Sequence, residues 1–257
     1  MTIDPADPVA EPVALPSLTP ARVLLGRAGS SYRTSTMLQL RADHAAARDA
    51  LHERLELDDP AMATILERFE LFEVATQAAT FAEHLARPDL GRRLDQAAID
   101  RISTECPHGV DLQIVIGDGL SSAAVRTQVP ELLPLLVESA EARGLSSGRP
   151  FFVRNCRVGV LNDIGDATAA EVVVLLVGER PGLATAESLS AYLAYRPTAG
   201  DTDADRNLIS NIHAGGVSAP DATRRIMGLV EQFRLHQRSG FEIRESDAMP
   251  AVAPLSE

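Results

Sequence analysis

The chain has 257 residues, 45% of them hydrophobic, enough to bury a sizeable core as one large domain or two smaller ones. Its 36 acidic against 24 basic residues leave a net charge of -12, which opposes general affinity for nucleic-acid phosphates or anionic membranes. No apolar run reaches the ~18 residues that span a bilayer, no secretory signal opens the chain, and the two cysteines, Cys106 and Cys156, are too few for a disulfide framework; a soluble intracellular protein with reduced, structural thiols is expected.

Residues 1–20 hold Pro5, Pro8, Pro12, Pro16 and Pro20 among acidic and small residues and read as a disordered leader. From about Leu38 the pattern turns helical, with Ala42, Ala45, Ala46, Leu51 and Leu55 at apolar positions and Arg41, Asp43, His44 and Arg48 around them. Asp59-Pro60 reads as an N-cap followed by proline at the first helical position, and Met62, Ile65, Leu66, Phe69 and Phe72 form one apolar stripe. Helical stretches over residues 78–85 and from Pro88 towards Ile102 complete an all-helical N-terminal region, residues 21–105, with no strand signal in it.

At Asp111 the register changes. Asp111-Leu-Gln-Ile-Val-Ile is a short strand, followed by Gly117-Asp118-Gly119 and a helix over residues 120–143 containing Pro130 and Pro134. Residues 151–154 give a second strand, 160–170 a short helix, 172–177 a third strand and 189–195 a fourth; 220–238 form a closing amphipathic helix with Ile226, Met227, Val230 and Phe233 at helical spacing. The alternation predicts an α/β fold, in which the N-terminal helical region precedes a Rossmann-like parallel sheet with flanking helices over residues 106–257, loose after Arg244.

Glu171 to Gly182 reads Glu-Val-Val-Val-Leu-Leu-Val-Gly-Glu-Arg-Pro-Gly, an unbroken apolar run that suits a strand covered on both faces. Ligands bind at the carboxyl ends of strands in open parallel sheets, so Glu179 and Arg180 stand where a site is expected; a plain polar turn is the other reading of the same residues. Two further stretches, Gly117-Asp-Gly-Leu-Ser121 and the loop over residues 203–216, would converge with it, and their small and polar residues suit hydrogen bonding to a bulky ligand. The first lacks the third glycine of a dinucleotide fingerprint, no phosphate-loop Gly-Lys-Ser or Gly-Lys-Thr is present, and the serines have no nucleophile elbow. His213 stands in a pattern similar to the Asp-x-His-x-x-Gly of proteins that ligate cobalt, but Asn211 replaces the aspartate that would orient such a histidine, which favours a turn histidine instead. The histidines show no metal-ligand spacing, and this half of the chain binds better than it reacts.

Five ordered motifs carry a resemblance: Arg41-Ala-Asp-His-Ala-Ala-Ala-Arg48, Asp111-Leu-Gln-Ile-Val-Ile-Gly-Asp-Gly-Leu-Ser121, Val177-Gly-Glu-Arg-Pro-Gly-Leu183, Glu187-Ser-Leu-Ser190, and Asp203-Ala-Asp-Arg206 with Ile209-Ser-Asn-Ile-His213. Together they resemble the small subunit of ethanolamine ammonia-lyase over residues 21–240. The resemblance implies a carbon–nitrogen lyase, inactive as a lone chain, that converts ethanolamine to acetaldehyde and ammonia by adenosylcobalamin-dependent radical chemistry in a hetero-oligomer with a large catalytic subunit. It further implies that residues 106–257 contact the cobalamin as a Rossmann-like lid, that the cofactor stays base-on so His213 is not its ligand, and that the complex is cytoplasmic, with a bacterial microcompartment as a further option.

Carried over by motif, the cofactor contacts implied are Val158 in Cys-Arg-Val-Gly-Val, Glu179 in Gly-Glu-Arg-Pro-Gly, and Leu208 two positions after Arg206. Glu179 suits amide donors, and Val158 and Leu208 suit backbone or apolar contact. Some relatives carry cysteine where Leu208 stands, and the loop before Arg206 is one residue shorter than in some of them. No catalytic or metal-ligating residue is assigned to this chain. A non-catalytic module that stabilises a partner without touching a ligand is the alternative reading, and an independent small-molecule enzyme a third.

Overall fold

The computed structural model describes residues 27–56 and 58–245, so the expected leader, residues 1–20, and nearly all of the expected loose tail lie outside the described residues. A short hairpin, β1 (Arg27–Ala28) with β2 (Ser31–Tyr32), leads into α1 (Thr34–His52). None of the 19 residues of α1 is buried; the helix rests on good helix formers such as Ala45, Ala46 and Ala47 more than on packing. α2 (Ala63–Phe69) follows, closed by Glu70 in the left-handed conformation at φ 50°.

The chain then extends as β3 (Phe72–Ala75), which corrects the expectation of an uninterrupted helical region up to residue 105. Phe72 continues the helical spacing of Ile65 and Phe69, yet it belongs to a strand that lies parallel to β5 (Phe151–Arg154) at one edge of the main sheet. α3 (Phe81–Ala86) is held by a reciprocal cap: Glu83 N–H donates to Thr80 Oγ1 at 3.2 Å, and Thr80 N–H donates to Glu83 Oε2 at 3.3 Å. Thr80→Ala is expected to lower stability by about 1 kcal/mol, read from the urea midpoint with the slope unchanged; an unmoved midpoint would show that the cap contributes nothing.

After α4 (Gln96–Glu105) come β4 (Leu112–Gly117), α5 (Ser122–Ala142), β5, α6 (Val160–Thr168), β6 (Val172–Gly178), β7 (Leu189–Tyr195), β8 (Asn207–Ile212) and α7 (Ala219–His236). The six-stranded sheet runs β3-β5-β4-β6-β7-β8. Its first four strands are mutually parallel, and β7 and β8 add antiparallel pairings at the far edge. The expected parallel sheet is thus present with one reversed strand, β7, because β8, antiparallel to β7, again runs with the first four; β8 also corrects the expectation that residues 203–216 form one loop.

The unbroken apolar run has a simple cause. Val172, Val174 and Leu176 face one core with α5 and α7, while Val173, Leu175 and Val177 face another with α4 and α6. A strand buried on both faces has no solvated position for a polar residue, so alternation is lost.

Candidate functional site

The carboxyl ends of β4, β5 and β6, the start of β7 and the end of β8 meet at one edge of the sheet. They enclose a cleft of about 250 Å³ lined by residues that include Gly119, Arg157, Val158, Glu179, Ser190 and Tyr192. It continues past Arg157, Val158 and Tyr192 into a recess of about 280 Å³ bounded by Arg92 and Asp203.

The floor is backbone against backbone. Gly119 sits at φ +60° with its Cα against the Gly178 carbonyl, and Gly178 lies as closely against the carbonyls of Ser121 and Asp118, so neither position has room for a Cβ. Leu120 N–H donates to the Gly178 carbonyl at 3.0 Å, which ties the loop after β4 to the end of β6. Asp118 is buried, and its carboxylate accepts from the N–H groups of Asn155 and Cys156, both at 2.8 Å, clamping the loop that follows β5. Burial pushes the Asp118 carboxyl up to about 6, against those two donors, which favour the ionised form. From α3, His84 places Nε2 3.0 Å from the Gly119 carbonyl; a carbonyl only accepts, so Nε2 carries the proton. Burial, and next the nearby Arg157 guanidinium, press His84 down to about 4, and it stays neutral. Cys156 and Cys106 are free and buried; burial raises the Cys106 thiol to about 11 and the Cys156 thiol well above its ordinary value, so both stay protonated, as structural thiols do.

Glu179 is set from three strands. Its Oε1 accepts from Ser190 Oγ at 2.7 Å and from Asn211 N–H at 2.9 Å, and its own N–H donates to the Ser188 carbonyl at 3.0 Å. Oε2 has no partner among the described residues. Val158 lines both parts of the cleft. Leu208 lies on β8, 45% exposed, directly opposite Tyr192, so the two side chains share a face and Leu208 borders the cleft through Tyr192. Val158 and Glu179, far apart in sequence, thus line the cleft itself, while Leu208, near the start of β8 and level with the middle of β6, borders it only from the sheet face.

Of the three stretches expected to converge, Gly119-Leu120 and Glu179-Arg180 line the cleft directly, while the third contributes Asp203 to the recess and the Asn211 N–H to Glu179. His213 Nδ1 accepts from Gly215 N–H at 3.1 Å, which leaves Nε2 to donate to Asn211 Oδ1 at 2.7 Å; both ring nitrogens are committed inside the turn. Among the described residues no three His, Cys, Asp or Glu side chains gather as a metal site, and no helix is long and apolar enough to cross a membrane. The sequence reading missed Arg92, Arg157 and Tyr192. The alternation of Ser190 and Tyr192 within an otherwise apolar β7 is the one pattern that pointed to a wet face there.

The model of the family described as ethanolamine ammonia-lyase light chain (EutC) matches residues 10–244. The chain is similar to the ethanolamine ammonia-lyase small subunit of Clostridium perfringens, 42% identical over 226 residues, which cover 88% of this chain and 75% of that protein. The corresponding proteins of Fusobacterium nucleatum, at 40%, and Clostridioides difficile, at 39%, are covered to the same shares, 88% and 75%. With its cleft-bearing sheet wholly inside the matched region, the chain belongs to the ethanolamine ammonia-lyase light chain family.

Proposed function

We propose that this chain is the small subunit of an adenosylcobalamin-dependent ethanolamine ammonia-lyase, and that its part in the complex is to hold the cofactor against a large catalytic subunit. Glu179 is the observation that carries the reading. One carboxylate oxygen is fixed by Ser190 and Asn211, and the other is left without a partner among the described residues at the lip of a cleft. The rim of a corrin bears carboxamides, whose N–H groups are donors, and a preset carboxylate beside Val158, Tyr192 and Leu208 fits that mixture of amide and apolar surface. When bound, the cofactor supplies radical chemistry through homolysis of its cobalt–carbon bond, by which ethanolamine yields acetaldehyde and ammonia.

This chain's own residues bind and orient. His213, with both ring nitrogens already engaged, is unsuited to replace the cofactor's own base on cobalt, in keeping with a base-on cofactor. No residue here is assigned to proton or hydrogen transfer, which falls to the large subunit. The relatives' name, small subunit, supports such a partner, and α1, none of whose residues is buried, offers it an exposed surface.

Reconstitution tests the reading. Ethanolamine deamination and the visible spectrum of bound adenosylcobalamin are expected only when this chain and the large subunit are combined, with no turnover from this chain alone. Binding of the cofactor by the large subunit alone with undiminished affinity would instead make this chain a scaffold without ligand contact.

A further inference from the structure

The cleft has a second chemical character at the end away from Glu179. Arg157 lines both parts of it, Arg180 the first part and Arg92 the recess. In a chain of net charge -12, arginines find carboxylates easily, and those nearby do: Arg92 with Asp203 at 2.7 Å, Arg93 with Asp163 at 3.1 Å, Arg154 with Glu73 at 2.6 Å, and Arg206 with Asp203 at 2.5 Å. Arg157 and Arg180 have no carboxylate partner among the described residues.

Arg157 is nevertheless held in place. Its N–H donates to the Gly91 carbonyl at 2.8 Å and one Nη donates to the His84 carbonyl at 2.9 Å, while its buried Nε has no partner among the described residues. Burial, then repulsion from Arg180 and Arg92, lowers the Arg157 guanidinium from its ordinary value. Asp118 offsets Arg157 only in part and Asp203 is paired with Arg92, so the guanidinium charge gathered at this partly buried cleft is unfavourable unless something anionic completes it. Glu179 forms no ion pair with Arg157 or Arg180 among the described residues, and its Oε1 is taken by Ser190 and Asn211.

We infer that Arg157 and Arg180, backed by Arg92, form an anion subsite for a phosphate-class monoanion, so that the cleft takes amide donors at Glu179 and a phosphate group at the arginines. Two sources share this chemistry: the phosphodiester in the nucleotide arm of cobalamin, or a free phosphate. Assigning the cofactor as the source rests on the proposed function; the subsite itself does not.

The test uses the full chain and its complex with the large subunit. Arg180→Gln is the main variant, because Arg180 is exposed and its loss leaves the fold intact; Arg157→Lys keeps the charge but removes the fork that suits phosphate. Inorganic phosphate is expected to raise the thermal midpoint of the wild-type chain, followed by circular dichroism, above that in chloride of equal ionic strength, and both variants to lose the difference. In the complex, Arg180→Gln is expected to weaken adenosylcobalamin roughly ten- to a hundredfold while leaving adenosylcobinamide, which lacks the phosphodiester, unchanged. Specific phosphate stabilisation with both corrinoids equally affected would keep the subsite and assign it to free phosphate. Phosphate binding by a wild-type complex that takes up neither corrinoid would overturn the cofactor reading and leave the subsite standing. Equal effects of phosphate and chloride, together with weakened subunit association in Arg180→Gln, would overturn the proposal in favour of arginines that pair with partner carboxylates.

Discussion

A Glu179→Ala variant co-expressed with the large subunit is expected to retain adenosylcobalamin roughly ten- to a hundredfold less tightly than the wild type. A hydrogen bond to a charged group contributes about 1.5–3 kcal/mol, and about 1.4 kcal/mol is a factor of ten in affinity. The effect belongs to the ligand and not to folding: Glu179 is half-buried at the cleft edge, and water can reach the Ser190 hydroxyl and Asn211 N–H once the carboxylate is gone. Far-ultraviolet circular dichroism and the subunit ratio should therefore match the wild type. Ser190→Ala removes one of the two bonds that aim the carboxylate and should show a smaller loss of the same kind. Wild-type retention by an intact Glu179→Ala complex would take Glu179 out of the site.

His84→Gln is expected to make the chain gain stability relative to wild type as pH falls from about 6 to 4, and Asp118→Asn to make it lose stability over nearly the same range. Asp118 titrates at about 6 when folded against an ordinary unfolded value of 3.8, so the folded state takes up the proton first and acidification through 6 stabilises it. His84 titrates at about 4 when folded against 6.5 unfolded, so here the unfolded state takes up the proton and acidification below 6.5 destabilises the fold. In the wild type the two oppose each other; removing either exposes the other, with a limiting slope of about 1.4 kcal/mol per pH unit. The reading must be variant minus wild type. Asp111, held below the ordinary carboxylate range by Ser146, and Glu105, held there by Arg101, destabilise all three proteins on acidification. Gln at position 84 keeps a donor for the Gly119 carbonyl, so the loss of the imidazole can be read without loss of that bond. Parallel pH profiles for the three proteins, measured by urea unfolding, would refute the opposition.

The central strands and the long helices were legible because burial leaves a plain pattern. Val172 to Val177 serve two cores at once and so cannot be polar, and Ile226, Met227, Val230 and Phe233 keep α7 against one of them. β3 was not legible, since its four residues continue the spacing of α2 and the helix stops at Glu70, with no glycine or proline to mark the break. β8 escaped for the opposite reason. As an edge strand it buries only Ile209 and Ile212 and fills its other positions with Asn207, Leu208, Ser210 and Asn211, a composition shared with loops. At the site, Gly178-Glu179-Arg180 stood out through its contrast with the apolar run before it. Arg157 gave no such contrast, since its neighbourhood with Arg180 and Arg92 exists only after β5 and β6 are folded into one sheet.

The glycine-on-carbonyl contact between Gly119 and Gly178 governs how a ligand is received. Loops locked at that spacing have little freedom to lose, and Glu179, already aimed by Ser190 and Asn211, surrenders no rotamer entropy on binding, a saving of roughly 0.5–1.5 kcal/mol for one side chain. Such an edge admits a ligand without rearranging around it, so differences in affinity among variants of this cleft should be expressed in how slowly the ligand leaves more than in how quickly it arrives.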